Sequence, residues 1–189
     1  MKLDLPYLQS LDVGNDAEGW AALNDIFRRA SRPELPAGRY NGSLIAVRIV
    51  PGITQLVRYL ADSWLPWIGK QFHLPDQSGD NIFTRDSLRL ARVIWPRYSG
   101  YRRDTATTYR AFRFQTRMDH GLFDPDRQVL VLDYCLPGNP PTNVKRVRDE
   151  LVQLEDGTYL GKAHFRWYRN RWQTVAYFSL QHREGQSSD

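Results

Sequence analysis

The sequence predicts a mainly β protein, an antiparallel barrel of seven or eight strands with one helix before the first strand and another between the first two. Three observations carry this reading. From about residue 81 the apolar residues recur with a period of two, the spacing at which alternate side chains share one face of a strand. Connections rich in turn residues punctuate that region, among them Ser99-Gly100, Asp124-Pro125-Asp126, Gly138-Asn139-Pro140-Pro141 and Glu155-Asp156-Gly157. Aromatic residues reach 13%, including six Trp and ten Tyr, large flat side chains that fill sheets and barrels with few rotatable bonds.

In chain order, residues 15–30 read as a helix. Asn15 or Asp16 can cap it, Trp20, Leu23 and Phe27 fall on one face, and Arg28 and Arg29 suit its C-terminal end before Pro33 and Pro36. Residues 38–50 read as the first strand, with Gly42 a bulge or close-approach point. Pro51 and Gly52 then open a second helix whose apolar stripe, Ile53, Leu56, Val57, Leu60 and Trp64, continues past Pro66 towards Ile68 and Lys70, where it can close a cavity. The remaining strands fall at 87–95, 105–118, 128–136, 145–154, 158–167 and 171–181, with 81–84 an additional candidate. A meander of this length either closes on itself or splits into two sheets, because open edges invite aggregation, and closure is the expected outcome. The expected organisation is a helical extension over 1–35, a barrel over 36–184 and a flexible tail over 185–189.

The formal net charge is +5, and all but four of the 26 basic residues are arginine. These arginines are spread along the chain and alternate with apolar residues, as in Arg89-Leu90-Ala91-Arg92, which reads as the solvated face of a sheet and gives no expectation of nucleic-acid binding. Cys135 is the only cysteine, so no intrachain disulfide forms and a reducing compartment is expected. The start shows no basic end followed by a long apolar run, and no stretch approaches the roughly 20 apolar residues of a membrane span, so a cytoplasmic protein is expected. His73, His120, His164 and His182 show no metal-ligand spacing, and the chain has no phosphate-binding loop, nucleophile elbow or dinucleotide fingerprint, so no metal is expected.

Polar residues embedded in apolar strands are the candidate site. Asp133 interrupts Val129-Leu130-Val131-Leu132, Arg148-Asp149-Glu150 lies between Val147 and Leu151, and Lys162 and His164 alternate with apolar residues. Two arrangements remain open at this level. In one, these groups meet inside the barrel or at its mouth, where each needs a partner or a ligand. In the other, they face outward and form cross-strand pairs. In a cavity Tyr134, Lys162, His164, Trp64, Trp67, Phe112 and Phe165 would contact ligand. If the protein were an enzyme, Asp133 or Glu150 would serve as acid or base, with Arg148 stabilising negative charge. A single imidazole, His164 or His182, could also ligate haem.

Gly38-Arg39-Tyr40-Asn41-Gly42, followed by Trp67-Ile68-Gly69-Lys70-Gln71-Phe72, resembles the GxWxG-motif proteins of bacteria, with Tyr40 at the position of the motif's Trp. Arg148-Asp149-Glu150-Leu151 and Tyr159-Leu160-Gly161-Lys162 are similar to the segment that follows in those proteins. More widely, the chain resembles calycin-type barrels such as lipocalins and nitrobindin-like haem proteins. That resemblance implies a calycin-like barrel whose closed end is plugged by Tyr40; the GxWxG group itself has no assigned activity to carry over. The expected function is binding of a small apolar or amphipathic molecule (lipid, isoprenoid, polyketide or aromatic metabolite). The alternatives are a cofactor-free cyclase, isomerase or lyase acting in the same cavity, and haem binding.

Overall fold

The computed structural model describes residues 17–48, 66–141 and 143–182. Helix α1 (Ala17–Arg29) forms where the helical spacing places it, burying Trp20, Leu23, Ile26 and Phe27 along one stripe. Glu18 in its first turn and Arg28 and Arg29 in its last oppose the helix dipole.

Nine strands follow among the described residues: β1 (Gly38–Val47), β2 (Trp67–His73), β3 (Ser78–Thr84), β4 (Arg102–Arg103), β5 (Thr108–His120), β6 (Gln128–Asp133), β7 (Val147–Glu155), β8 (Thr158–Arg166) and β9 (Trp172–His182). Every pairing is antiparallel, in the order β3-β2-β1-β9-β8-β7-β6-β5-β4. A further pairing of β3 with β5 closes eight strands into a barrel, leaving β4 as a two-residue addition to the edge of β5. The closed antiparallel barrel expected from the alternating pattern is therefore present. No described helix is long and apolar enough to cross a membrane.

Both faces of the wall beneath α1 are buried, and the period of two divides them. Leu130, Leu132, Leu151, Ala163, Phe165, Ala176, Phe178 and Leu180 fill the interior. Val129, Val131, Val152, Leu160 and Tyr177 point outward and pack under α1. This double burial explains why Val129-Leu130-Val131-Leu132 is apolar throughout, since neither face meets water.

Two sequence expectations are corrected. Residues 87–95 do not form a strand: Leu88–Ile94 is a short helix, α2. The spacing of Leu88, Ala91 and Trp95 by three and four puts them together against the barrel core, and the Trp95 amide donates to the Ala91 carbonyl. Trp67–Lys70, expected to finish a second helix, opens β2 instead. Gly69 has φ 151°, outside any helix, and pairs with Asn41 of β1 and Ile82 of β3. The rest of that expected helix, residues 51–65 with Trp64, lies outside the described residues.

The pairing of β1 with β2 brings together the two glycine-containing motifs, in the register Tyr40↔Lys70 and Asn41↔Gly69. A Cβ on Gly69 would overlap the Tyr40 carbonyl oxygen, and one on Gly42 would overlap the Trp67 ring. Glycine at 42 thus lets the Trp67 indole lie flat on β1, and glycine at 69 lets the two backbones approach. Tyr40 is buried at the opposite end of the barrel from Trp67, edge-on to Phe72, Tyr159 and His182 with ring centroids 5.4, 5.6 and 5.1 Å away.

Candidate functional site

The half of the barrel where β1 and β3 end and β2, β5 and β7 begin holds a cavity of about 90 Å³. Its walls are mostly apolar, with Leu44, Trp67, Phe83, Trp95, Phe112 and Phe178 among them. Besides Asn143 in the segment before β7, its polar part comes from four strand segments. Lys70 on β2, Asn81 on β3, Tyr134 just after β6 and Asp149 on β7 all point inward and all line the cavity.

These four side chains form one hydrogen-bonded group. The Lys70 ammonium donates to Asn81 Oδ1 at 2.8 Å, Tyr134 Oη at 2.6 Å and Asp149 Oδ2 at 2.9 Å, so all three of its protons are engaged. The Tyr134 hydroxyl in turn donates to Asp149 Oδ2 at 2.9 Å. Around Nζ stand the rings of Trp67, Phe114, Tyr134 and Phe178, with centroids between 5.2 and 5.4 Å away. The Trp67, Phe114 and Phe178 rings stand near the ammonium in place of water, while Tyr134 meets it through its hydroxyl. Burial lowers the Lys70 pKa, with the Asp149 carboxylate opposing that shift. Burial, reinforced by the Asp149 charge, pushes the Tyr134 phenol well above its ordinary value, so it remains a proton donor.

Phe112 reaches the cavity through an irregularity in β5. It has φ 55°, a left-handed conformation costly for an aromatic residue, and the β3–β5 register shifts beside it. Two side chains hold this bend: the Phe112 amide donates to Tyr98 Oη at 2.7 Å, and its carbonyl accepts from Asn81 Nδ2 at 3.1 Å. The Phe112 ring then packs against Phe83, Trp95 and Tyr98. Trp95, at the end of α2, donates from its indole to Asn143 Oδ1 at 3.1 Å, which ties α2 to the segment before β7.

The structure brings Trp67, Phe112 and Tyr134 of the sequence candidates into this cavity. Phe165 faces the interior but is packed in the core, against Trp167, and does not line the cavity. Asp133, Arg148, Glu150, Lys162 and His164 stand on the other face of their strands. Asp133 pairs with Arg117 at 2.9 Å near the surface. Glu150 Oε1 accepts from Arg148 Nε at 2.8 Å and from the Leu122 amide at 2.9 Å, while its Oε2 stands 3.2 Å from His164 Nε2. Lys162 donates to Asp124 Oδ2 and Asn24 Oδ1, both at 2.6 Å. Arg28 of α1 reaches the other Asp124 oxygen at 2.5 Å, so this outer group fastens α1 and the β5–β6 connection to the barrel wall. No histidine is among the described residues lining the cavity.

Among the polar cavity residues, Lys70, Asn81 and Asn143 stood outside the candidate groups, whereas Asp149 was one of the strand-embedded residues among them. For Asp149 the signal was present: it shares strand parity with Val147 and Leu151, both inward, whereas Glu150 shares parity with Val152, outward. For Lys70 the signal was hidden, because β2 read as helix. No family model matches the chain, and neither do any curated protein or solved structure compared with it.

Proposed function

We propose that the barrel binds a small, mainly apolar molecule in the cavity, with one polar group directed at the Lys70–Tyr134–Asp149 cluster. The observation that carries this reading is the position of that cluster: a buried ammonium, phenol and carboxylate gathered at an aromatic-walled cavity rather than at the surface. Binding sites of this form take their affinity from apolar contact and their orientation from a few fixed polar groups. A cavity of about 90 Å³ fits a compact molecule or one end of a longer one.

The test is native mass spectrometry of the protein purified from its own host, beside a cavity-filling Val147→Phe variant. A small molecule retained by the parent and lost from the variant, with circular dichroism unchanged, supports the reading. Parent protein that stays empty across a panel of apolar acids, alcohols and ketones overturns it.

A second reading, cofactor-free catalysis, is favoured by one specific contact set. Lys70, Tyr134 and Asp149 lie within a single hydrogen-bonded group, so a proton can pass between amine, phenol and carboxylate beside a bound substrate. Turnover abolished in Tyr134→Phe with ligand affinity retained supports this reading; equal loss of both returns the site to binding alone.

A further inference from the structure

The net charge of the chain is concentrated in one contiguous stretch. Residues 85–103 contain six arginines, Arg85, Arg89, Arg92, Arg97, Arg102 and Arg103, against one acidic residue, Asp86. That excess of five equals the formal net charge of the whole protein. All six are exposed, and none is in an ion pair among the described residues. Other arginines, such as Arg28, Arg39, Arg110, Arg117 and Arg148, stand within ion-pair distance of carboxylates.

The same segment exposes aliphatic side chains. Leu90 is 50% and Val93 is 76% exposed on α2, three residues apart and therefore on one side of the helix. Arg89 and Arg92, three residues apart on α2, lie beside them, and Arg85 stands in the 3-10 turn that leads into the helix. The opposite side of α2, with Ala91 and Trp95, packs on the barrel core, and the Tyr101 hydroxyl joins this helix to the β4 region by donating to the Ala91 carbonyl at 2.8 Å. Because α2 follows the end of β3, its exposed side with Arg89, Arg92, Leu90 and Val93 lies at the cavity end of the barrel.

We infer that this face docks on an anionic phospholipid surface, the arginines meeting headgroup phosphates while Leu90 and Val93 enter the boundary with the acyl chains. Charge complementarity names the sign of the partner, and the exposed aliphatic pair selects lipid over nucleic acid. Single-stranded nucleic acids are gripped by stacking on aromatic rings, whereas aliphatic side chains gain by leaving water for a bilayer. Arginines on such a surface each strengthen attachment and do so less as salt rises. This inference is independent of what occupies the cavity.

The experiment is co-sedimentation of the full chain with vesicles of phosphatidylcholine alone and of phosphatidylcholine mixed with phosphatidylglycerol, with a single-stranded oligonucleotide as a separate probe. The expected result is attachment to the mixed vesicles only, weakening with added salt. Arg89→Gln with Arg92→Gln lowers the affinity by about fivefold for each charge removed. Leu90→Ser with Val93→Ser lowers it as well, with no change in charge. All four positions are exposed, and unchanged thermal unfolding confirms that the variants fold. Absence of attachment, equal attachment to both vesicle types, or affinity unaltered in either double variant overturns the inference. An oligonucleotide bound more tightly than the mixed vesicles, and held equally by the Leu90→Ser/Val93→Ser protein, overturns it in favour of a nucleic-acid surface.

Discussion

Lys70 and Asp149 meet across the barrel interior, Nζ 2.9 Å from Oδ2, with side chains only 3% and 5% exposed. One comes from β2 and the other from β7, strands that do not pair with each other, so this contact exists only because the sheet closes. Removing one partner of such a pair strands a buried charge. Lys70→Met therefore costs about 3–5 kcal/mol of stability. Replacing both, as Lys70→Met with Asp149→Leu, recovers much of the loss. Urea unfolding of the two variants measures this: a double variant no more stable than the single one would show that the pair is not the source.

Tyr98 supports a strained Phe112 by accepting its backbone amide proton. Tyr98→Phe leaves that buried donor without its acceptor at a cost of about 1–3 kcal/mol. The same change lets the bend in β5 relax, so ligand affinity falls with stability. Denaturant unfolding and a ligand titration on the one variant check both parts.

The glycines that join β1 to β2 differ in what they face. Gly42→Ala meets the Trp67 ring, a side chain that can turn, and costs about 1–3 kcal/mol through overpacking. Gly69→Ala meets the Tyr40 backbone and carries a φ of 151° that alanine rarely adopts, so it loses more. Thermal unfolding orders the two, and tryptophan emission shifts in Gly42→Ala as the indole is displaced from the cavity wall.

The outer polar group sets the response to acid. Burial pushes the Asp124 carboxyl up, but Lys162 and Arg28 outweigh it and hold the group below its ordinary 3.8. Burial likewise raises Glu150, while His164, Arg148 and the Leu122 amide bring it below 4.5. Between the ordinary and the lowered values the unfolded chain binds protons that the folded chain does not. The stabilisation is therefore present above those ordinary values and is lost as pH falls through the lowered ones. Unfolding midpoints should drop once pH passes below 4.5, and Asp124→Asn should lower the midpoint at neutral pH while flattening that drop.

Much of the architecture was legible because burial imposes periodicity. Trp20, Leu23 and Phe27 announce α1 by their spacing, and the alternation in β5 to β9 marks five strands to within a few residues of their observed ends. The misread elements are those where periodicity was overridden. α2 is so short that three inward residues were not distinguishable from alternation. In β2, apolar residues on both faces and a following Gly69 matched the end of a helix until pairing with β1 and β3 decided the matter.

By itself the sequence determined the class of fold, since a run of alternating strands with short turns has few ways to bury its apolar faces other than closing. It also determined which residues share a face within each strand. Only the tertiary structure decided which face points inward, because a period of two is symmetrical until a neighbour such as α1 covers one side. That choice sends Glu150, Lys162 and His164 outward beneath α1 and the β5–β6 connection, and turns Asp149, Tyr134 and Lys70 towards one another. Closure of the barrel then brings residues up to 79 positions apart in the chain within hydrogen-bonding distance, a proximity that no local pattern encodes.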